Sequence, residues 1–169
     1  MARKTPDKTI ILLAASLLLG ACTSASKDPG WGDEVDTRVR QPAQQDSAGI
    51  QVFPLENPAV TQLMADAGSA ESNGDYDQAA GLLERALRIQ PQNPEILQSM
   101  AEVQLGVRDY QQALNFAVRS YDLGPRVGEI CSRNWRTISV AREYLGDHRG
   151  SVEAEKKAGN CMSTKPKGF

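Results

Sequence analysis

The amino-acid sequence predicts an all-α fold, about three helical hairpins stacked as a short solenoid and preceded by a disordered linker. Two observations carry this prediction. Residues 73–94, NGDYDQAAGLLERALRIQPQNP, return in pattern as residues 107–128, VRDYQQALNFAVRSYDLGPRVG, at a shift of 34. That shift pairs Asp75 with Asp109, Tyr76 with Tyr110, Gln78 with Gln112, Ala79 with Ala113, Ile89 with Leu123 and Pro91 with Pro125. Within the first copy Leu82, Leu83, Ala86 and Leu87 recur at steps of three and four, the spacing of one buried helix face.

The chain opens with Arg3, Lys4 and Lys8 ahead of an apolar run from Ile10 to Leu19, a charged n-region and short h-region of a secretory signal. The run is too short to span a bilayer as a mature helix. Its close, Leu19-Gly20-Ala21-Cys22, resembles the lipobox of bacterial lipoproteins, which implies a signal peptide over residues 1–21 and a mature, diacylglycerol-bearing N-terminus at Cys22. Each buried acyl methylene adds about 0.8 kcal/mol of membrane affinity, so such an anchor tethers without spanning. By the sorting rules of that family, Thr23 in place of Asp implies the periplasmic face of the outer membrane.

Residues 22–56 are rich in Ser, Asp, Gln, Gly and Pro without sustained periodicity, and they read as the lipidated N-terminus and a disordered linker. Stretched, this linker spans about 110 Å. Ile50, Val52, Phe53 and Leu55 form a small apolar group at its end. It either staples the first helix or binds a partner.

The folded region is expected over residues 57–162, with a basic tail at 163–169. A helix from Val60 to Ser72 opens the first unit. Gly74 or Arg108 followed by Asp and Tyr marks a tight turn, with the aspartate capping the next helix. Ala79 and Ala113 are small where helices must approach closely, and Pro91 and Pro125 end the second helices. A third unit, residues 135–159, repeats the turn at Gly146 and Asp147 but lies 38 residues on, with four extra residues between Arg126 and Cys131. His148 and Ser151 replace its tyrosine and alanine.

The 34-residue period and these positions resemble the tetratricopeptide repeat, a helix-turn-helix unit. Trp135 falls where that pattern places its tryptophan, whereas Asp66 and Ala70 stand where leucine and tyrosine are usual, a departure expected of terminal repeats. In an antiparallel pair the start of the first helix lies beside the end of the second. Cys131 and Cys161 become neighbours, and in an oxidising periplasm they are expected to form a disulfide. The first helices of stacked hairpins line the concave side, so Met64, Glu71, Gln98, Glu102, Leu105, Arg136, Val140 and Tyr144 are the expected partner-binding residues, suited to an extended or helical protein segment.

Little points to chemistry. The net charge is −2, and removal of the signal leaves about −4, without the basic stripe that nucleic acid requires. Two cysteines and the single His148 fall short of a zinc shell, and neither HExxH nor a glycine-rich phosphate loop occurs. The chain therefore reads as a protein without catalytic residues, cofactor, metal or small-molecule substrate. Lipid anchor, spacer and small repeat domain together resemble the periplasmic adaptor lipoproteins of the outer membrane. That resemblance implies binding and activation of a bifunctional, class A penicillin-binding protein, with a scaffold or pilotin for wall hydrolases, a pilus secretin or outer-membrane assembly as the alternative.

Overall fold

The structure, a computed structural model, describes residues 31–41 and 57–161. Among these every regular element is helical: α1 (Trp31–Val35, running on as a π-helical turn over Asp36–Arg40), α2 (Pro58–Ser72), α3 (Tyr76–Ile89), α4 (Pro94–Gly106), α5 (Tyr110–Leu123), α6 (Glu129–Tyr144) and α7 (His148–Cys161). Helices α2–α3, α4–α5 and α6–α7 form three antiparallel hairpins that stack in order.

The same short-range chemistry builds each hairpin. The first helix ends at a residue with positive φ, namely Gly74 (75°), Arg108 (66°) and Gly146 (84°). The next amide then reaches back five residues: Asp75 to Ala70, Asp109 to Gln104 and Asp147 to Arg142, each 2.9 Å, the closing bond of a Schellman turn. Those aspartates cap the second helix, accepting from the amides of Gln78 and Gln112 at 3.0 Å and of Gly150 at 2.9 Å. Asn57 and Asn93 cap α2 and α4, each followed by a proline whose missing N–H costs the first turn nothing.

Packing follows from these registers. Ala79 and Ala113 are fully buried at equivalent positions. Ser151 holds the same place in the third hairpin, where its carbonyl accepts from the Ser139 hydroxyl at 3.0 Å, so a polar contact stands in for a methyl group. Val60, Leu63, Leu83, Ile96, Met100 and Val103 form the core between the first two hairpins. Ala101, Ala117, Ile138 and Ala154 continue it into the third. Trp135 meets Tyr121 edge-on at 4.6 Å between ring centroids and carries the Lys157 ammonium over its face at 4.3 Å.

The four extra residues before the third hairpin form a turn at Gly128 (φ 84°), whose amide donates to the Cys161 carbonyl at 2.9 Å. Cys131, in the first turn of α6, and Cys161, the last residue of α7, are joined as a disulfide with 5.7 Å between Cα atoms.

One expectation needs correction. Residues 31–41 are not a disordered stretch of linker but a helix, because Val35 and Val39 find an apolar surface on the repeat domain, 4% and 0% exposed. The signal peptide, Cys22, the apolar group from Ile50 to Leu55 and the tail at 163–169 lie outside the described residues.

Candidate functional site

The first helices α2, α4 and α6 make the concave face, where α4 lies beside α6 and α1 lies against both, with its Arg40 reaching Glu71 on α2. Val35 and Val39 close over Leu105, Ala113, Val140 and Ala141. Around this apolar strip runs a set of ion pairs. One nitrogen of the Arg40 guanidinium donates to both carboxylate oxygens of Glu71, at 2.7 and 2.8 Å, and its Nε donates to Glu102 Oε2 at 2.8 Å. Arg38 pairs with Glu143, while Glu34 accepts from the Tyr144 hydroxyl at 2.9 Å. Arg136 donates to the Val39 carbonyl at 3.4 Å.

Glu102 is the centre of this arrangement and is 1% exposed. Arg133 grips it with Nη2 at 2.7 and 2.8 Å and Nε at 3.0 Å, and Gln98 bridges it at 2.8 Å to Thr137 at 2.7 Å. Burial alone would push the Glu102 carboxyl up, but the charges of Arg133 and Arg40 outweigh it and hold the group below the usual carboxylate range. Glu71 goes the other way, since burial raises it more than Arg40 lowers it. For Arg40 burial favours loss of the proton, and the two carboxylates more than offset that, so its charge is secured.

The eight residues assigned to this face from the sequence do lie on α2, α4 and α6, but four of them are not open surface. Gln98, Glu102, Leu105 and Val140 are at most 4% exposed. Gln98 and Glu102 turn into the ionic network, and Leu105 and Val140 are covered by α1. Met64, Glu71 and Arg136 are half-buried, and Tyr144 is 42% exposed, its ring stacked on Tyr110 at 4.7 Å. A cleft of about 430 Å³ remains between Arg40, Met64, Glu71, Glu102 and Arg133.

Sequence reasoning missed the helix that fills the face. Its signal is short but present: Val35 and Val39 are four apart, as are Glu34 with Arg38 and Asp36 with Arg40, and both acid–arginine pairs form, at 2.8 and 3.0 Å. Among the described residues no three His, Cys, Asp or Glu side chains are grouped to hold a metal ion, and no helix is long and apolar enough to cross a membrane.

Comparison with known proteins agrees with the architecture. The tetratricopeptide-repeat family model matches residues 70–119. The solved globular C-terminal domain of P. aeruginosa LpoP is 33% identical, with a TM-score of 0.58, over 62% of this chain and 98% of that one. A point mutant of MamA is 17% identical, with a TM-score of 0.53, over 77% of this chain and 90% of that one, a likeness of fold alone. No curated protein sequence matches the chain.

Proposed function

The chain belongs to the LpoP-like tetratricopeptide-repeat proteins, and on that premise we propose that it is a periplasmic adaptor, anchored in the outer membrane through Cys22, that binds and activates a class A penicillin-binding protein and so stimulates peptidoglycan synthesis. The observation that carries the reading is the 33% identity to the LpoP domain over 98% of its length. The fold and this likeness point to a protein-interaction domain rather than a catalyst.

In this reading the signal peptide at 1–21 is removed, Cys22 carries lipid, and the repeat domain over 57–162 reaches through the wall to its partner. Activation then requires that the domain bind the active state of the synthase more tightly than the inactive one, since a ligand shifts an equilibrium only by its difference in affinity. Recovery from detergent-solubilised envelopes tests the partner. A class A penicillin-binding protein among the captured proteins supports the proposal, and a secretin or wall hydrolase in its place supports a pilotin or scaffold.

A further inference from the structure

Helix α1 is placed as a bound ligand would be. A helix this short does not hold together alone in water, because nucleation costs more than a few hydrogen bonds return. It is folded by what it touches. Its contacts are those of one amphipathic face: Val35 and Val39 on the apolar strip of Leu105 and Val140, and Arg40 between Glu71 and Glu102. Its other side, with Asp36, Thr37 and Gln41, faces solvent.

The receiving surface is matched in charge. Each hairpin contributes one acid to it, Glu71 from α2, Glu102 from α4 and Glu143 from α6, and α1 answers with Arg40 and Arg38. These ion pairs run between side chains, and the α1 backbone is met by the bond from Arg136 to the Val39 carbonyl.

We infer that the concave face is a receptor for an amphipathic helix carrying two aliphatic side chains four residues apart with an arginine directly after the second, that residues 31–41 of this chain fill it in cis, and that a partner helix of this pattern enters only by displacing them. Two helices cannot cover Leu105 and Val140 at once. A segment joined by a short connection competes at an effective concentration in the millimolar range, so an external helix binds with its intrinsic affinity multiplied by the open fraction. One consequence rests on the anchor proposed at Cys22. With residues 31–41 docked, residues 23–30 alone separate the lipid from the domain and stretch to at most about 28 Å, against about 110 Å when the segment is released. Entry of the partner helix would thus lengthen the tether.

The test needs neither synthase nor lipid vesicle, so it fails independently of the proposed function. A fluorescent synthetic peptide of residues 31–41 is titrated against the detergent-solubilised full chain, wild type and with Val35→Asp and Val39→Asp together, changes in the segment that leave the receiving surface intact. The peptide is expected to bind the opened chain at least tenfold more tightly by anisotropy. Arg40→Glu in the peptide should abolish binding, and Glu71→Arg in the opened chain should restore it to that altered peptide. Equal affinity for the two chains, or no binding to either, overturns the inference.

Discussion

A single nitrogen of Arg40 reaches both carboxylate oxygens of Glu71, at 2.7 and 2.8 Å, across 31 residues of sequence. The same guanidinium reaches Glu102 in the neighbouring hairpin, so one side chain of α1 ties two repeats together. Charge-assisted hydrogen bonds of this kind contribute about 1.5–3 kcal/mol. Arg40→Ala is therefore expected to release α1 while the hairpins stay folded. Hydrogen exchange at residues 31–41 checks it: protection should fall about tenfold to a hundredfold, with α2–α7 unchanged. Protection unchanged at those amides would mean that the valines alone hold the segment.

The turn between α4 and α5 places Arg108 at φ 66°, where the other two hairpins use Gly74 and Gly146. An L-residue in this region costs about 1–2 kcal/mol, of which glycine's greater freedom in the unfolded chain takes back a part. Arg108→Gly should raise stability by about 0.5–1 kcal/mol in urea unfolding. Destabilisation would show that the arginine side chain contributes more than its backbone costs.

The ring of Tyr76 on α3 occupies the space a Cβ would need on Gly106, at the end of α4. Gly106→Ala forces the ring aside and should cost about 1–3 kcal/mol, the range for overpacking. Pairing it with Tyr76→Ala should remove most of the added cost in a double-mutant cycle. Additive effects would place the strain elsewhere.

The disulfide between Cys131 and Cys161 closes a loop of 30 residues around the third hairpin. On the chain-entropy model its removal costs about 3–4 kcal/mol. Replacing both cysteines by alanine should lower the urea midpoint and loosen α6 and α7 first. A loss under about 1 kcal/mol would assign the closing of this hairpin to the bonds of Gly128 and Ser132 instead, which reach the carbonyls of Cys161 and Ala158.

Acid acts on Glu102 and Glu71 with opposite sign. Glu102 lies below its ordinary value of about 4.3 in the folded chain, so its contribution is complete above that pH and is lost as pH falls through the depressed value. Glu71 is raised, so between its ordinary and folded values the folded state holds the extra proton and stability declines as pH rises. Urea midpoints should drop steeply below about pH 4, and Glu102→Gln should flatten that drop. A wild-type curve level down to about pH 3 would count against the buried network.

The period of 34, the Asp caps and the alanines at 79 and 113 were legible because each acts within a few residues of itself. The fold class and the repeat register follow from them. The burial of Glu102 was not legible, since a carboxylate on a polar helix face gives no local sign that Arg133 and Arg40 will enclose it from 31 and 62 residues away. Helix α1 was missed for a related reason. Two valines and two acid–arginine pairs are too short a pattern to outweigh the Gly, Pro and Ser around them, and the groove that folds them is assembled from three separate hairpins.

The most direct test of the adaptor account is glycan-strand polymerisation by a purified class A penicillin-binding protein from the same cell, followed with and without the added repeat protein. A rise in rate that saturates with the added protein, at an affinity matching its binding to the synthase, is the expected result. Saturated binding with an unchanged rate, or no binding at all, would contradict it.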